Sequence, residues 1–384
     1  MDVRIDPRPL RGTVTPPPSK SMAHRTAIAQ LLSGEKMTVP PLNRDLEATL
    51  RCGEALQRGG VLDCGESGST LRFFLPIALA LRGGGVFTGQ GRLLERPLEP
   101  YFALFDEKGI VYTRQPDRLT VRGTLPPGRY ALPGNVSSQF VTGLLFALPL
   151  LNGNSVLELT TPLESRGYVD LTLDTLRQAG VRVEPETPRR FRIPGPQSYG
   201  PISAELEADW SQGAFWFAAN FLGSEITVSG LRADSAQGDR CIAGLSRRLK
   251  NPGTAEIDVS GCPDLLPPLA VMAAARRDGT RFVNAGRLRM KESDRLETVS
   301  ALLRTFGVPA EAGPDTLTVY GPLTPWDGPI EADGAKDHRI VMAAAVLASA
   351  GNGPVTIHGA EAVEKSYPGF FTDYQRLGGQ VHGF

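Results

Sequence analysis

Residues 281–311 read RFVNAGRLRMKESDRLETVSALLRTFGVPAE: a β-rich start, a charged loop, an amphipathic run, and a glycine that leads into new β-rich sequence. The same order recurs from near Thr38, Val86, Val156, Ile226 and Val355. One supersecondary unit used six times is the simplest source of such self-similarity. The endings are the sharpest part. Gly60, Gly109, Gly180, Gly307 and Gly379 each follow a helical pattern, where glycine supplies a left-handed cap at no steric cost. The copy ending in KNPG, residues 250–253, is irregular.

Ahead of each β-rich start lies a second helix, apolar almost all round. These are AHRTAIAQLLSG from Ala23, STLRFFLPIALALRGG from Ser69, SSQFVTGLLFALPLLNG from Ser137, DWSQGAFWFAANFLG from Asp209, DLLPPLAVMAAARRDG from Asp264, and DHRIVMAAAVLASAG from Asp337. Helices of that kind belong inside a layered domain. Their polar residues gather at their starts, and Ser19 or Ser21, Ser69, Ser137, Asp209, Asp264 and Asp337 are the expected N-caps. Six positive helix ends brought to one region would form an electrostatic funnel for anions.

Six units divide into two groups of three. The Pro- and Gly-rich stretch RIPGPQSYGPISAELE, residues 192–207, marks the boundary. The β-rich stretch before Pro16 precedes the first buried helix and is free to complete the other domain. We therefore expect an α/β protein of two domains, each with three βαβαββ units around buried helices, and a ligand cleft between them. One domain spans residues 18–205, and the other is discontinuous, residues 1–17 with 206–384. Two crossings between domains would act as a double hinge.

Composition narrows the partners. Lys plus Arg equals Asp plus Glu at 41 each in 384 residues, so no bulk charge favours nucleic acid or an anionic membrane. The apolar runs, such as FFLPIALAL, fall well short of the roughly 20 residues that span a bilayer. We expect a soluble, cytoplasmic monomer acting on small molecules. Cys52, Cys64, Cys241 and Cys262 lack CxxC or metal-type spacing and read as buried reduced thiols. No histidine and carboxylate set has the spacing of a metal site, so neither metal nor cofactor is expected.

The charged loops carry the chemistry. In PSKSMAHR, residues 18–25, Lys20 and Arg25 sit at a helix start, where cations oppose the macrodipole; an anion between them and the helix amides would explain their presence. CGESGSTLR, residues 64–72, is a Gly/Ser loop with Arg72 nearby. It lacks the GxxxxGK[ST] of a P-loop, and Ser69 stands where a GxSxG elbow needs its last glycine. GQGRLLERP offers Arg92 and Arg96, and VSSQF offers two hydroxyls and an amide at a buried helix start. MKESDR places Lys291, Glu292, Asp294 and Arg295 together with Ser293 as the expected cap; KDHR adds Arg339 and EKSYP adds Lys365. Adjacent Lys and Glu suit proton transfer, although a solvated ion network has the same composition. So many cations in equivalent loops of a neutral chain imply a ligand bearing several negative charges.

As an ordered set, PSKSMAHR, GESGSTLR, GRLLERP, VSSQF, LESRGYVD, KESDR, KDHR and EKSYP resembles the 5-enolpyruvylshikimate-3-phosphate synthase (3-phosphoshikimate 1-carboxyvinyltransferase) family, over nearly the whole chain. The resemblance implies two domains of three βαβαββ units, with the first strand of the chain completing the second domain. It implies that shikimate 3-phosphate binds through Lys20, Ser21, Arg25, Ser137, Ser138, Gln139, Ser165, Tyr168, Asp264 and Lys291. Phosphoenolpyruvate would be held by Lys20, Gly68, Arg92, Gln139, Arg295, Arg339 and Lys365. Asp264 would take the proton of the acceptor hydroxyl, with Lys20, Glu292 and Lys291 the candidates for proton delivery and return. An enolpyruvyl group would be transferred by addition and elimination through a tetrahedral ketal, in aromatic amino-acid (chorismate) biosynthesis.

Two positions depart from the family pattern. Glu66 and Arg287 replace asparagines, and the expectation is that a cation, Arg287 among the candidates, neutralises Glu66. Gly68 stands where an added methyl would exclude the inhibitor glyphosate. The sister UDP-N-acetylglucosamine enolpyruvyl transferases would carry a cysteine in the GQGRLLERP loop and Lys-Asn in place of Lys20-Ser21. A non-catalytic anion-binding protein would need neither Asp264 nor Glu292.

Overall fold

Alanine, leucine and valine on every side commit six helices to the interior, and the computed structural model, which describes residues 1–203 and 205–383, places them there. It divides into two compact units, Ser19–Leu206 and Met1–Pro18 with Glu207–Phe384. In the first, α1 (Lys20–Leu32), α3 (Gly68–Arg82) and α5 (Ser138–Ala147) are the buried helices, and α2 (Arg44–Arg58), α4 (Glu99–Lys108) and α6 (Arg166–Gln178) bury one face each. In the second, α7 (Trp210–Phe221), α9 (Leu266–Ala274) and α11 (His338–Ala348) are buried, beside α8 (Ile242–Leu249), α10 (Arg295–Thr305) and α12 (Phe370–Arg376). Every residue of α9 and α11 is buried. Each unit has its own main apolar core.

Each unit also holds two four-stranded sheets with one recurring plan. In the Ser19–Leu206 unit, Leu62–Asp63 runs parallel to Gly84–Thr88, which pairs antiparallel with Arg118–Arg122, itself antiparallel to Val111–Arg114. Arg129–Leu132, Ser155–Leu159, Arg190–Ile193 and Glu184–Thr187 repeat it. In the other unit, Ala255–Asp258, Thr280–Val283, Leu317–Val319 and Ala310–Ala312 do the same. The last sheet closes the chain on itself. Asp2–Asp6 takes the inner antiparallel place between Val355–His358 and Gln380–His382, burying Val3 and Ile5 completely.

The remaining β-rich starts are weaker. Among the described residues, Glu225–Val228 pairs only with Arg11–Val14, in parallel. The expected strand after Thr38 does not form, because Pro40 and Pro41 withhold two ladder donors.

Several expected caps shift by one or two residues. The left-handed caps after α2 and near the end of α12 are Gly59 and Gly378, at φ 75° and 91°, rather than Gly60 and Gly379. Gly109, Gly180 and Gly307 do adopt positive φ. Ser67, not Ser69, caps α3, since its extended backbone lets Oγ accept the Thr70 amide at 3.3 Å. Asp294, not Ser293, caps α10, and Asp264 lies inside the short turn Pro263–Leu265 instead of capping α9. Ser19 precedes α1 without a side-chain cap bond, whereas Ser137, Asp209 and Asp337 cap α5, α7 and α11. Cys52, Cys64 and Cys262 are buried free thiols, and Cys241 is half-buried.

Candidate functional site

In the Ser19–Leu206 unit the polar starts of the helices meet. Lys20 begins α1 with no acid in its first turn, and its Nζ donates to Asp45 Oδ2 at the start of α2, 3.1 Å away. Arg25, one turn further, is 4% exposed. Its Nε donates to Thr172 Oγ1 at 2.9 Å, Nη1 to the Ser21 carbonyl at 2.6 Å, and Nη2 to the Tyr168 carbonyl at 2.8 Å. A longer bond reaches Thr142, and the guanidinium lies over the Phe73 ring at 5.5 Å. These acceptors are all neutral, and burial pulls the guanidinium down to about 10. An ionised group so buried is costly without a counter-charge.

At the start of α3, Arg72 donates from Nη1 to Gln139 Oε1 at 2.7 Å and from Nη2 to the Pro97 carbonyl at 3.0 Å. That orients Gln139, whose Nε2 donates to Ser69 Oγ at 2.8 Å. Gly68 is pressed between cations: a Cβ there would lie 2.8 Å from Arg96 Nη1 and 2.9 Å from Arg72 Nη1. Arg92 instead faces solvent, 3.9 Å from an exposed Glu95. Ser137 and Ser138 open α5. Ser165 precedes α6 at φ 53°, a conformation that costs a non-glycine residue about 1 kcal/mol or more. Its carbonyl accepts the Tyr168 amide at 3.0 Å.

Behind these starts runs a buried chain. His24 Nδ1 meets Thr49 Oγ1, which meets Thr70 Oγ1, which donates to Ser67 Oγ, each at 2.7 Å. Burial drives His24 down to about 3, so it is neutral. The Glu66 carboxylate lies near Gly91, within the same unit.

The other unit gathers carboxylates and cations together. Arg295, 1% exposed, is the hub. Its Nε donates to Asp337 Oδ2 at 2.9 Å, Nη1 to Asp264 Oδ1 at 2.8 Å, and Nη2 to Glu292 Oε2 at 2.7 Å and to Asp337 Oδ1 at 3.4 Å. Arg339 Nη2 donates to Asp264 Oδ2 and to Ser211 Oγ, both at 3.1 Å, and Nη1 to the Asp264 carbonyl at the same distance. Lys291 Nζ lies 3.5 Å from Asp264, and Lys365 Nζ 3.7 Å from Glu292. Burial alone would push Asp264 up, but Arg339, Lys291 and Arg295 hold it well below the usual carboxylate range. Asp337 is likewise low, the Arg295 charge outweighing its burial. Burial brings Lys291 down to about 8 against the pull of Asp264. Arg287 donates to the Ser260 carbonyl of its own unit.

Lys20, Arg25, Gly68 and Gln139 thus share one cluster, and Asp264, Lys291, Glu292, Arg295, Arg339 and Lys365 another. Sequence reasoning missed Asp45, Thr142, Thr172, Ser211 and Asp239. Nothing marks them locally, because Thr, Ser and Asp are ordinary residues in helices and turns and their burial is not visible in the letters.

Solved structures with this architecture define the class. An EPSP synthase from Acinetobacter baumannii aligns with TM-score 0.77 over 100% of both chains at 21% identity. The enolpyruvyl transferase NikO from Streptomyces tendae aligns with TM-score 0.75 over 99% of this chain and 98% of that one, at 16% identity. The fold is that of the enolpyruvyl transferases.

Sequence narrows this further. The profile of the EPSP synthase (3-phosphoshikimate 1-carboxyvinyltransferase) family matches residues 51–374. Proteins named 3-phosphoshikimate 1-carboxyvinyltransferase from Clostridium kluyveri and Clostridium acetobutylicum are 42% and 38% identical, over 99% of this chain and 98% of each. The chain belongs to the EPSP synthase family.

Proposed function

We propose that the protein transfers the enolpyruvyl group of phosphoenolpyruvate to the 5-hydroxyl of shikimate 3-phosphate and releases inorganic phosphate. The observation that supports this best is Arg25: a buried guanidinium held by hydroxyls and carbonyls asks for an anion as its balancing charge. Shikimate 3-phosphate supplies one. In this reading Lys20, Ser21, Arg25, Ser137, Ser138, Gln139, Ser165 and Tyr168, with Asp264 and Lys291, take that substrate. Lys20, Gly68, Arg92, Gln139, Arg295, Arg339 and Lys365 take phosphoenolpyruvate.

The acceptor hydroxyl attacks C2 of the enol, losing its proton to Asp264 while C3 gains one. Phosphate then leaves C2 as a proton is removed from C3, restoring the double bond. Between them the cations hold two mutually repelling anions in register. Asp264 is too weak a base while three cations surround it. Substrate anions that draw Arg339 and Lys291 toward themselves raise its basicity, so the base is armed by binding. Lys291, near 8, can release and recover a proton in the working pH range.

The test is phosphate release from phosphoenolpyruvate with shikimate 3-phosphate or UDP-N-acetylglucosamine as acceptor. Release with the first alone is expected, and Lys20→Met should lower it by about 100-fold or more with the thermal transition retained. Release with neither acceptor, despite binding of both anions, would favour a binding protein instead.

A further inference from the structure

Asp239 lies just ahead of α8, is 4% exposed, and has no part in the reaction as described above. It accepts the Ser211 hydroxyl at 2.5 Å. Ser211 in turn accepts from Arg339 Nη2 at 3.1 Å, and the same Nη2 donates to Asp264 Oδ2. These contacts join α7, the turn before α8, the turn before α9 and α11 through four consecutive polar groups.

A hydroxyl has one proton, and this fixes the direction of the chain. While Asp239 is ionised it takes that proton, and only the lone pairs of Ser211 are left to face Arg339. A protonated Asp239 can donate to Ser211 instead, freeing the Ser211 proton to turn toward the guanidinium and oppose it. Arg339 has little else to steady it on that side. Its Nε is buried without a partner among the described residues.

We propose that Asp239 and Ser211 are positioning residues for the reaction: ionised Asp239 orients the Ser211 hydroxyl so that its lone pairs hold Arg339 in place for the phosphoenolpyruvate anion. This rests on the functional reading above. Neither residue touches substrate, so both act through Arg339.

The electrostatics of the pocket agree. Burial first, and then the charge of Asp264, push Asp239 up to about 6, against the pull of the Ser211 hydrogen bond and Arg339. The titratable and charged groups facing it include Asp264, Arg339, Asp209 at the start of α7, and the Cys262 thiol, which its contact with Cys241 and then burial keep protonated. Asp239 is therefore ionised above the window around pH 6 and protonated below it.

The experiment is steady-state kinetics for both substrates on wild type, Ser211→Ala, Asp239→Asn and the double variant between pH 5 and 8, with thermal unfolding of each as control. Ser211→Ala should raise KM for phosphoenolpyruvate about tenfold at pH 8, leaving kcat and the KM for shikimate 3-phosphate within about twofold. Ser211→Thr, which restores the hydroxyl, should recover most of that loss. The phosphate of phosphoenolpyruvate also titrates near pH 6, so the readout is the ratio of variant to wild type. That ratio should fall toward one as pH drops below 6, because protonation then disables the wild-type chain as well.

The double variant should be no worse than the poorer single one, as members of one chain are not additive. Unchanged KM for phosphoenolpyruvate in Ser211→Ala, a loss confined to kcat, a pH-independent ratio, or additive effects would each overturn the proposal. A wild type that releases no phosphate would instead refute the functional reading itself.

Discussion

The clusters of the two units hold their arginines in different ways, although Arg276, also buried in the second unit, rests on the Leu249, Asn251 and Gly253 carbonyls. In Ser19–Leu206, Arg25 and Arg72 rest on Thr172, Gln139 and three backbone carbonyls. In the other unit Arg295 and Arg339 are held by Asp337, Asp264 and Glu292. Neutral acceptors fix a guanidinium without cancelling its charge, so Arg25 keeps its positive potential for an anion. Carboxylates cancel it, and the second unit offers groups that can exchange protons.

That contrast can be tested by removing acceptors from each side. Asp264→Asn removes the proposed base from the carboxylate-rich unit, and turnover should fall by about 100- to 10,000-fold in a phosphate-release assay. A fall of less than tenfold would transfer the role to another group. Asp337→Ala takes from Arg295 the most buried of its three carboxylate partners and from α11 its cap, and should cost about 3–5 kcal/mol in denaturant unfolding. The matching change beside Arg25, Thr172→Val, removes only a neutral acceptor and should cost about 1–3 kcal/mol. Equal costs would erase the distinction between the units.

Acid should affect the units in opposite directions. His24 is depressed to about 3, so the unfolded chain binds its proton first, and its unit loses about 1.4 kcal/mol per pH unit below roughly pH 6.5. Asp239 is raised to about 6, so its contribution is full at low pH and is lost as pH rises through that value. Asp264 and Asp337 are depressed, and their contributions persist until pH falls below the ordinary carboxylate range. Hydrogen exchange between pH 7 and 5 should therefore show α1 to α3 losing protection relative to α7 and α9, and His24→Asn should remove the loss in α1 to α3 while leaving the part due to Asp239. A smaller effect is expected before α11, where Ala335 and Lys336 both adopt positive φ, at 51° and 53°. Lys336→Gly should raise stability by about 0.5–1 kcal/mol in thermal unfolding, because glycine takes that backbone without strain.

Much of this was legible before any coordinates. Helices such as HRIVMAAAVLA can only be interior, and the glycines after the amphipathic helices end them within a residue. Cap identity was less legible, since in runs such as Ser67-Gly68-Ser69 and Ser293-Asp294 either neighbour can cap and backbone geometry makes the choice. The Thr38 run shows the same limit: its β-rich look gave way to the two prolines beside it.

The sequence alone determined the repeat, the interior helices and the roll of cations, because periodicity and glycine chemistry act over a few residues. Only the tertiary structure decided which cations are balanced. Arg25 finds Thr172 across 147 positions and Arg295 finds Asp337 across 42. Charge compensation depends on distance in space, and no local pattern encodes it. Lys20 and Arg25 in PSKSMAHR look alike as letters, yet one meets a carboxylate and the other hydroxyls and carbonyls.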